Sequence, residues 1–141
     1  SKSYSLAGMR LGFAVAHEGL IKGMMKVKDS YNVDRLSMAS AVAALGDQET
    51  FRENVARIKK TRGRLVDSLK KLKFFVYPSQ ANFVMIRCLD ANNAREIYQE
   101  LKKRKILIRY IEQPRLDDCL RITVGTDEEI DALLDNLAEI K

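Results

Sequence analysis

Residues 1–12, SKSYSLAGMRLG, place Lys2 eight positions ahead of Arg10, with Gly8 and Gly12 flanking the arginine. A neutral lysine amine is the nucleophile that condenses with an aldehyde. An arginine binds a phosphate dianion through a planar fork of donors. Glycine lets backbone N–H groups come close to an anion, and the Ser1 hydroxyl adds a donor. A cofactor bearing both an aldehyde and a phosphate, pyridoxal phosphate, would use all of these groups. Lysine and arginine at this spacing also occur in ordinary surface loops, so the residues alone leave both readings open.

Working outward, residues 11–16, LGFAVA, are short and apolar and read as a buried strand. Leu20, Ile21, Met24 and Met25 recur at helical spacing, and His17 stands before them as a turn or cap residue. Residues 34–45, DRLSMASAVAAL, predict an Ala-rich helix with Gly46 as its stop. Phe51, Val55, Ile58, Leu65, Leu69 and Leu72 form an apolar stripe with one polar break at Arg62, which predicts a helix of about six turns. After Lys73 the pattern becomes strand-like in FFVY, NFVMIRC, ILIRYI and CLRITV. Asp90 is placed to cap a helix that puts Ala94, Ile97, Tyr98 and Leu101 on one face. Thr126 and Glu129 have the spacing of a capping box, followed by Ile130, Leu133, Leu134 and Leu137. The fold class is α/β, with strands and helices layered over residues 74–141.

The composition excludes several classes. The chain has 141 residues, 46% hydrophobic and 31% charged, as in ordinary globular proteins. Cys88 and Cys119 lack metal-ligand spacing, and His17 is the one histidine, so a metal centre or a Ser-His-Asp triad has little to draw on. A reducing, cytoplasmic compartment is the default, with no membrane segment expected. The net charge is +6, with much of the excess between residues 52 and 73. That run reads as the solvated face of an amphipathic helix; a non-enzymatic interaction or nucleic-acid-binding module built on it is the competing reading. Met9, Met24, Met25, Met38 and Met85 read as packing, and Tyr31 as either a core or a site residue.

The opening segment resembles the lysine motif of the fold-type-I aminotransferases, Ser-Lys-small-aromatic-small-x-x-Gly-x-Arg-x-Gly, at every position. YNVDRLSMASAVAAL, QANFVMIR and CLRITVGTDEEIDALL are similar to segments of the histidinol-phosphate aminotransferase family, so the likeness covers essentially the whole chain. The resemblance implies pyridoxal 5'-phosphate as cofactor. It implies Lys2 as the Schiff-base lysine that later moves the substrate proton, and Ser1 and Arg10 as ligands of the cofactor phosphate. Arg121 is similar to the arginine that grips the substrate carboxylate, and Arg109 to one that meets the substrate's phosphate. Asn82 lies in the family's ANF element with no contact assigned.

The implied activity is amino transfer between L-histidinol phosphate and 2-oxoglutarate by a homodimeric enzyme with small-molecule substrates and no nucleic acid. An aromatic aminotransferase or a threonine-phosphate decarboxylase of the same fold is the near alternative. The implied organisation is a remainder of the large cofactor-binding domain over 1–46, a bridging helix over 47–73, and a small C-terminal α/β domain of three to four strands over 74–141. The family carries, ahead of its lysine, the partners of the cofactor ring. The expectation is therefore a C-terminal part of a larger enzyme, inactive by itself, with faces of its early helices exposed.

Overall fold

Local signals place the helices. The structure, a computed structural model, describes residues 1–140. The chain divides into two units, Ser1–Val55 and Ala56–Lys141, which part inside one helix.

In the first unit the opening segment makes a single 3-10 turn at Ala7–Met9. Helix α1 spans Glu18–Val27, and His17 caps it, its ring Nδ1 accepting from Gly19 N at 3.2 Å. Helix α2 spans Arg35–Gly46, capped by Asp34; Gly46 is its last residue and Asp47 closes it. Residues 11–16 are not a strand: Phe13 is 88% and Val15 90% exposed. A strand needs a hydrogen-bonded neighbour, and none lies beside these residues among those described. Met24, Met25, Met38 and Tyr31 are exposed rather than packed, as are Leu20, Leu36 and Val42. The apolar faces of α1 and α2 are thus uncovered within this unit, as the sequence led one to expect.

Helix α3, Gln48–Lys71, carries the long stripe. Its last turns bury Leu65 and Leu69 completely. In the second unit four strands form one antiparallel sheet in the order β1-β2-β4-β3: β1 is Phe75–Val76, β2 Phe83–Arg87, β3 Arg109–Tyr110 and β4 Cys119–Thr123. The strand expected over ILIRYI therefore shortens to two residues. Helices α4, Ala91–Lys103, and α5, Asp127–Ile140, complete the unit. Alternation along the strands sends Val84, Ile86, Leu120 and Ile122 to one face. There they meet Leu65, Leu69, Ala94, Ile97, Leu101, Ile130, Leu133 and Leu137 in the core. The opposite face carries Phe83, Met85, Arg87 and Arg121, none of them buried.

Caps set the helix starts. Asp90 accepts from Asn93 N, and the Thr126–Glu129 capping box closes in both directions, at 2.8 and 3.3 Å. Asp127, in the first turn of α5, accepts from the Thr61 hydroxyl at 3.0 Å and pairs with Arg64, which also binds Asp131. The Thr61 hydrogen bond, and then Arg64, hold the Asp127 carboxyl below its ordinary pKa of 3.8. A depressed carboxylate stabilises the fold above its unfolded pKa and loses that contribution as pH falls through the lower folded value. Urea titrations between neutral pH and about pH 3 should therefore show a shallower acid-side loss of stability in Asp127→Asn than in the parent. An unchanged slope would mean that the contact is not linked to folding.

Candidate substrate and cofactor site

The opening segment is held by its neighbours within the first unit. Tyr4 stacks on Phe51 with ring centroids 4.7 Å apart. Ser37, the one buried residue of α2, donates from its hydroxyl to the Met9 carbonyl at 3.1 Å and to Asp34. Those Ser37 hydrogen bonds also lower the Asp34 pKa. Ser37 is a residue the sequence did not single out. A serine three positions after an Asp cap is a common pattern, and nothing in it announces a contact with Met9.

Arg10 sits just beyond the 3-10 turn in a left-handed conformation, φ 53°, and its guanidinium reaches back to the Ala7 carbonyl at 3.1 Å. Ser1 and Lys2 are exposed in the same unit, and the Lys2 carbonyl accepts from Ser5 N to close a turn. At Gly8 and Gly12 the place of a Cβ is open, with nothing within 4 Å, so the backbone there is bare to an approaching group. Beside this segment lies an open groove of about 630 Å³ lined by Ser1, Tyr4, Leu6, Phe13 and Leu45 among others. Ser1 and Gly12 of the opening segment line the groove while Lys2 and Arg10 are not among its lining residues, and an amine, a hydroxyl, a guanidinium and bare backbone are groups that suit a phosphate-bearing aromatic aldehyde.

The second unit brings Arg109 and Arg121 together. They are register partners across the β3–β4 ladder, so both side chains leave the same face of the sheet. Two cations directly opposite each other destabilise a ladder unless an anion joins them. Arg121 Nε is buried without a hydrogen-bond partner, and a buried unpaired donor costs free energy until it is satisfied. Along the same face the cations are already matched: Arg87 pairs with Asp118 at 2.5 Å. Cys119 donates to Asp118 at 3.1 Å, and its thiol is pushed up to about 11, first by burial and then by that carboxylate. It is therefore a protonated structural thiol rather than a nucleophile. Asn82 contributes its backbone carbonyl, which accepts from Val124 N at 2.9 Å. Among the described residues no cluster of side chains fits a metal ion, and no helix is long and apolar enough to cross a membrane.

The second unit is a four-stranded antiparallel sheet that sets Arg109 opposite Arg121, and the first unit carries Ser1, Lys2 and Arg10 on its opening segment. The fold is thus α/β. The pattern of the aminotransferase class I and II family matches residues 1–137, and the chain belongs to that family.

Its relatives are consistent with that assignment. The chain is 51% identical over 140 residues to histidinol-phosphate aminotransferase 1 of Nostoc sp., covering 99% of this chain and 39% of the relative. It is 50% identical over 140 residues to the histidinol-phosphate aminotransferase of Geotalea uraniireducens, covering 99% of this chain and 40% of that one. A crystal structure of histidinol-phosphate aminotransferase from Sinorhizobium meliloti in complex with pyridoxal-5'-phosphate superposes with a TM-score of 0.88 at 33% identity, over 99% of this chain and 39% of that one. The chain thus spans about two fifths of the length of the curated relatives it matches.

Proposed function

We propose that the protein containing this chain is a pyridoxal-phosphate-dependent aminotransferase that moves an amino group between L-histidinol phosphate and 2-oxoglutarate. The observation that carries the substrate reading is the register pairing of Arg109 with Arg121 on one sheet face. L-Histidinol phosphate offers an amine and a phosphate ester but no carboxylate; 2-oxoglutarate offers carboxylates. One pair of arginines on one face supports a single anion site that takes the phosphate in one half-reaction and a carboxylate in the other. In this reading Arg109 and Arg121 share one anion instead of serving two.

When bound, pyridoxal phosphate supplies an electron sink for negative charge developing at the substrate Cα. The chain's own residues do the rest. Ser1 and Arg10 would hold the cofactor's phosphate, Lys2 would hold its aldehyde carbon, and the Lys2 amine would carry the proton at the substrate Cα. Arg121 and Arg109 would fix the substrate's anionic end. Residues 1–46 serve as the remainder of the large domain, 47–73 as the bridge and 74–141 as the small domain. The same reading carries a cytoplasmic homodimer, which sedimentation of the full-length protein checks.

Arg109→Ala in the full-length enzyme tests the substrate reading. A phosphate dianion gains more from a second guanidinium than a carboxylate does, so kcat/KM for L-histidinol phosphate should fall by about tenfold or more beyond the loss for 2-oxoglutarate. Comparing the two substrates cancels any general loss of stability. Equal losses, or none, would remove Arg109 from phosphate recognition. Carbon dioxide release with no oxo-acid acceptor would instead mark a decarboxylase of the same fold.

A further inference from the structure

Arg64 and Arg87 are each held by a carboxylate. Arg121 is held differently. Phe83 pairs with Thr123 and Met85 with Arg121, which makes Phe83 the diagonal neighbour of Arg121 on the same face. The Phe83 ring centroid lies 5.2 Å from the guanidinium carbon, within the range of a cation–π contact. Nε, buried without a partner, offers no alternative anchor. The distinction matters for an anion site. A carboxylate brace would neutralise the guanidinium and compete with the incoming anion, whereas an aromatic face holds the cation and leaves its charge available.

The ring is itself tied down. Arg62, the polar break in the apolar stripe of α3, donates to the Ala81 carbonyl at 2.7 Å and to Gln80 Oε1 at 3.3 Å. The Ser79 hydroxyl donates to the Phe83 carbonyl and accepts from Ala81 N at 3.1 Å, and the Asn82 carbonyl accepts from Val124 N, just beyond β4. The segment before β2 is therefore fixed at residues 79, 81, 82 and 83. The interruption in the stripe thus has a use: it anchors the backbone that delivers the ring.

We propose that Phe83 is the positioning residue for Arg121, an aromatic brace that orients the anion-binding guanidinium without neutralising it. The proposal rests on the reading of Arg121 as a substrate ligand. The test uses the full-length enzyme loaded with pyridoxal phosphate. It measures KM and kcat for L-histidinol phosphate and 2-oxoglutarate, and competitive inhibition by inorganic phosphate. Phe83→Leu should raise both KM values and the inhibition constant by about 3- to 30-fold, with a smaller change in kcat. Phe83→Met, run alongside, gives the same readout should the leucine variant fail to fold. Phe83→Tyr, which keeps the ring, should restore most of the affinity.

A double-mutant cycle separates a brace from general packing. In an Arg121→Ala background, Phe83→Leu should add less than about a twofold further change, because nothing remains for the ring to hold. A loss of full size in that background would overturn the proposal, as would unchanged KM values in Phe83→Leu where Arg121→Ala alone raises them. If Arg121→Ala leaves binding unchanged, the substrate reading itself fails, and the brace with it.

Discussion

Lys2→Ala in the full-length enzyme is expected to lower turnover by roughly a thousandfold or more, since under the proposed function one side chain would supply both the covalent anchor and the mobile base, and positioned proton transfer alone contributes about 10²–10⁴-fold. A small added primary amine should recover part of the loss, because it replaces the base without replacing the tether. Borohydride reduction of the parent enzyme, followed by peptide mapping, should leave the cofactor tag on the Lys2 peptide. Lys22 is the useful control, being engaged with Glu18 at 2.6 Å on α1. A tag on Lys22 or Lys26, or a Lys2→Ala variant that still turns over at the parent's rate, would remove Lys2 from the chemistry.

The second large effect belongs to Arg121. Removing one partner of a desolvated charge pair costs about 2–5 kcal/mol, which is roughly a 30- to several-thousand-fold loss in kcat/KM. Under the proposed function, Arg121→Ala should show that loss with both substrates, since both would present an anion to the same guanidinium. Arg121→Lys should recover little, because an ammonium lacks the planar fork. The assay compares both half-reactions with thermal unfolding of the same variants. A fall in melting temperature with kcat/KM unchanged would make Arg121 a structural residue.

Much of the local structure was legible in the sequence because its causes are local. The caps at His17 and Asp90, and the capping box of Thr126 and Glu129, satisfy donors three residues away or fewer. The helical stripe ending in Leu65 and Leu69 records its own burial in its spacing. The reading of the opening segment came instead from its resemblance to a family, since residue types and spacing alone also fit an ordinary surface loop. The strand expected at 11–16 failed because apolarity marks a segment that seeks burial without supplying the neighbour it must pair with.

Sequence alone therefore determined the element order from residue 18 onward, the layered α/β class of residues 74–141 and, through the resemblance, the candidates Ser1, Lys2, Arg10, Arg109 and Arg121. Tertiary structure decided which of the arginines stand together. Arg109 lies twelve positions before Arg121 in the chain, and no periodicity in that interval shows that β3 and β4 lie antiparallel in the register that sets them opposite each other. The contact of Phe83 with Arg121 depends on the register of β2 against β4, and the clamp of Arg62 on Ala81 on how α3 packs beneath the sheet. A one-residue slip in either ladder would turn these side chains to the other face. Register is fixed by which side chains the shared core can bury, and that is a property of the assembled unit rather than of any one segment.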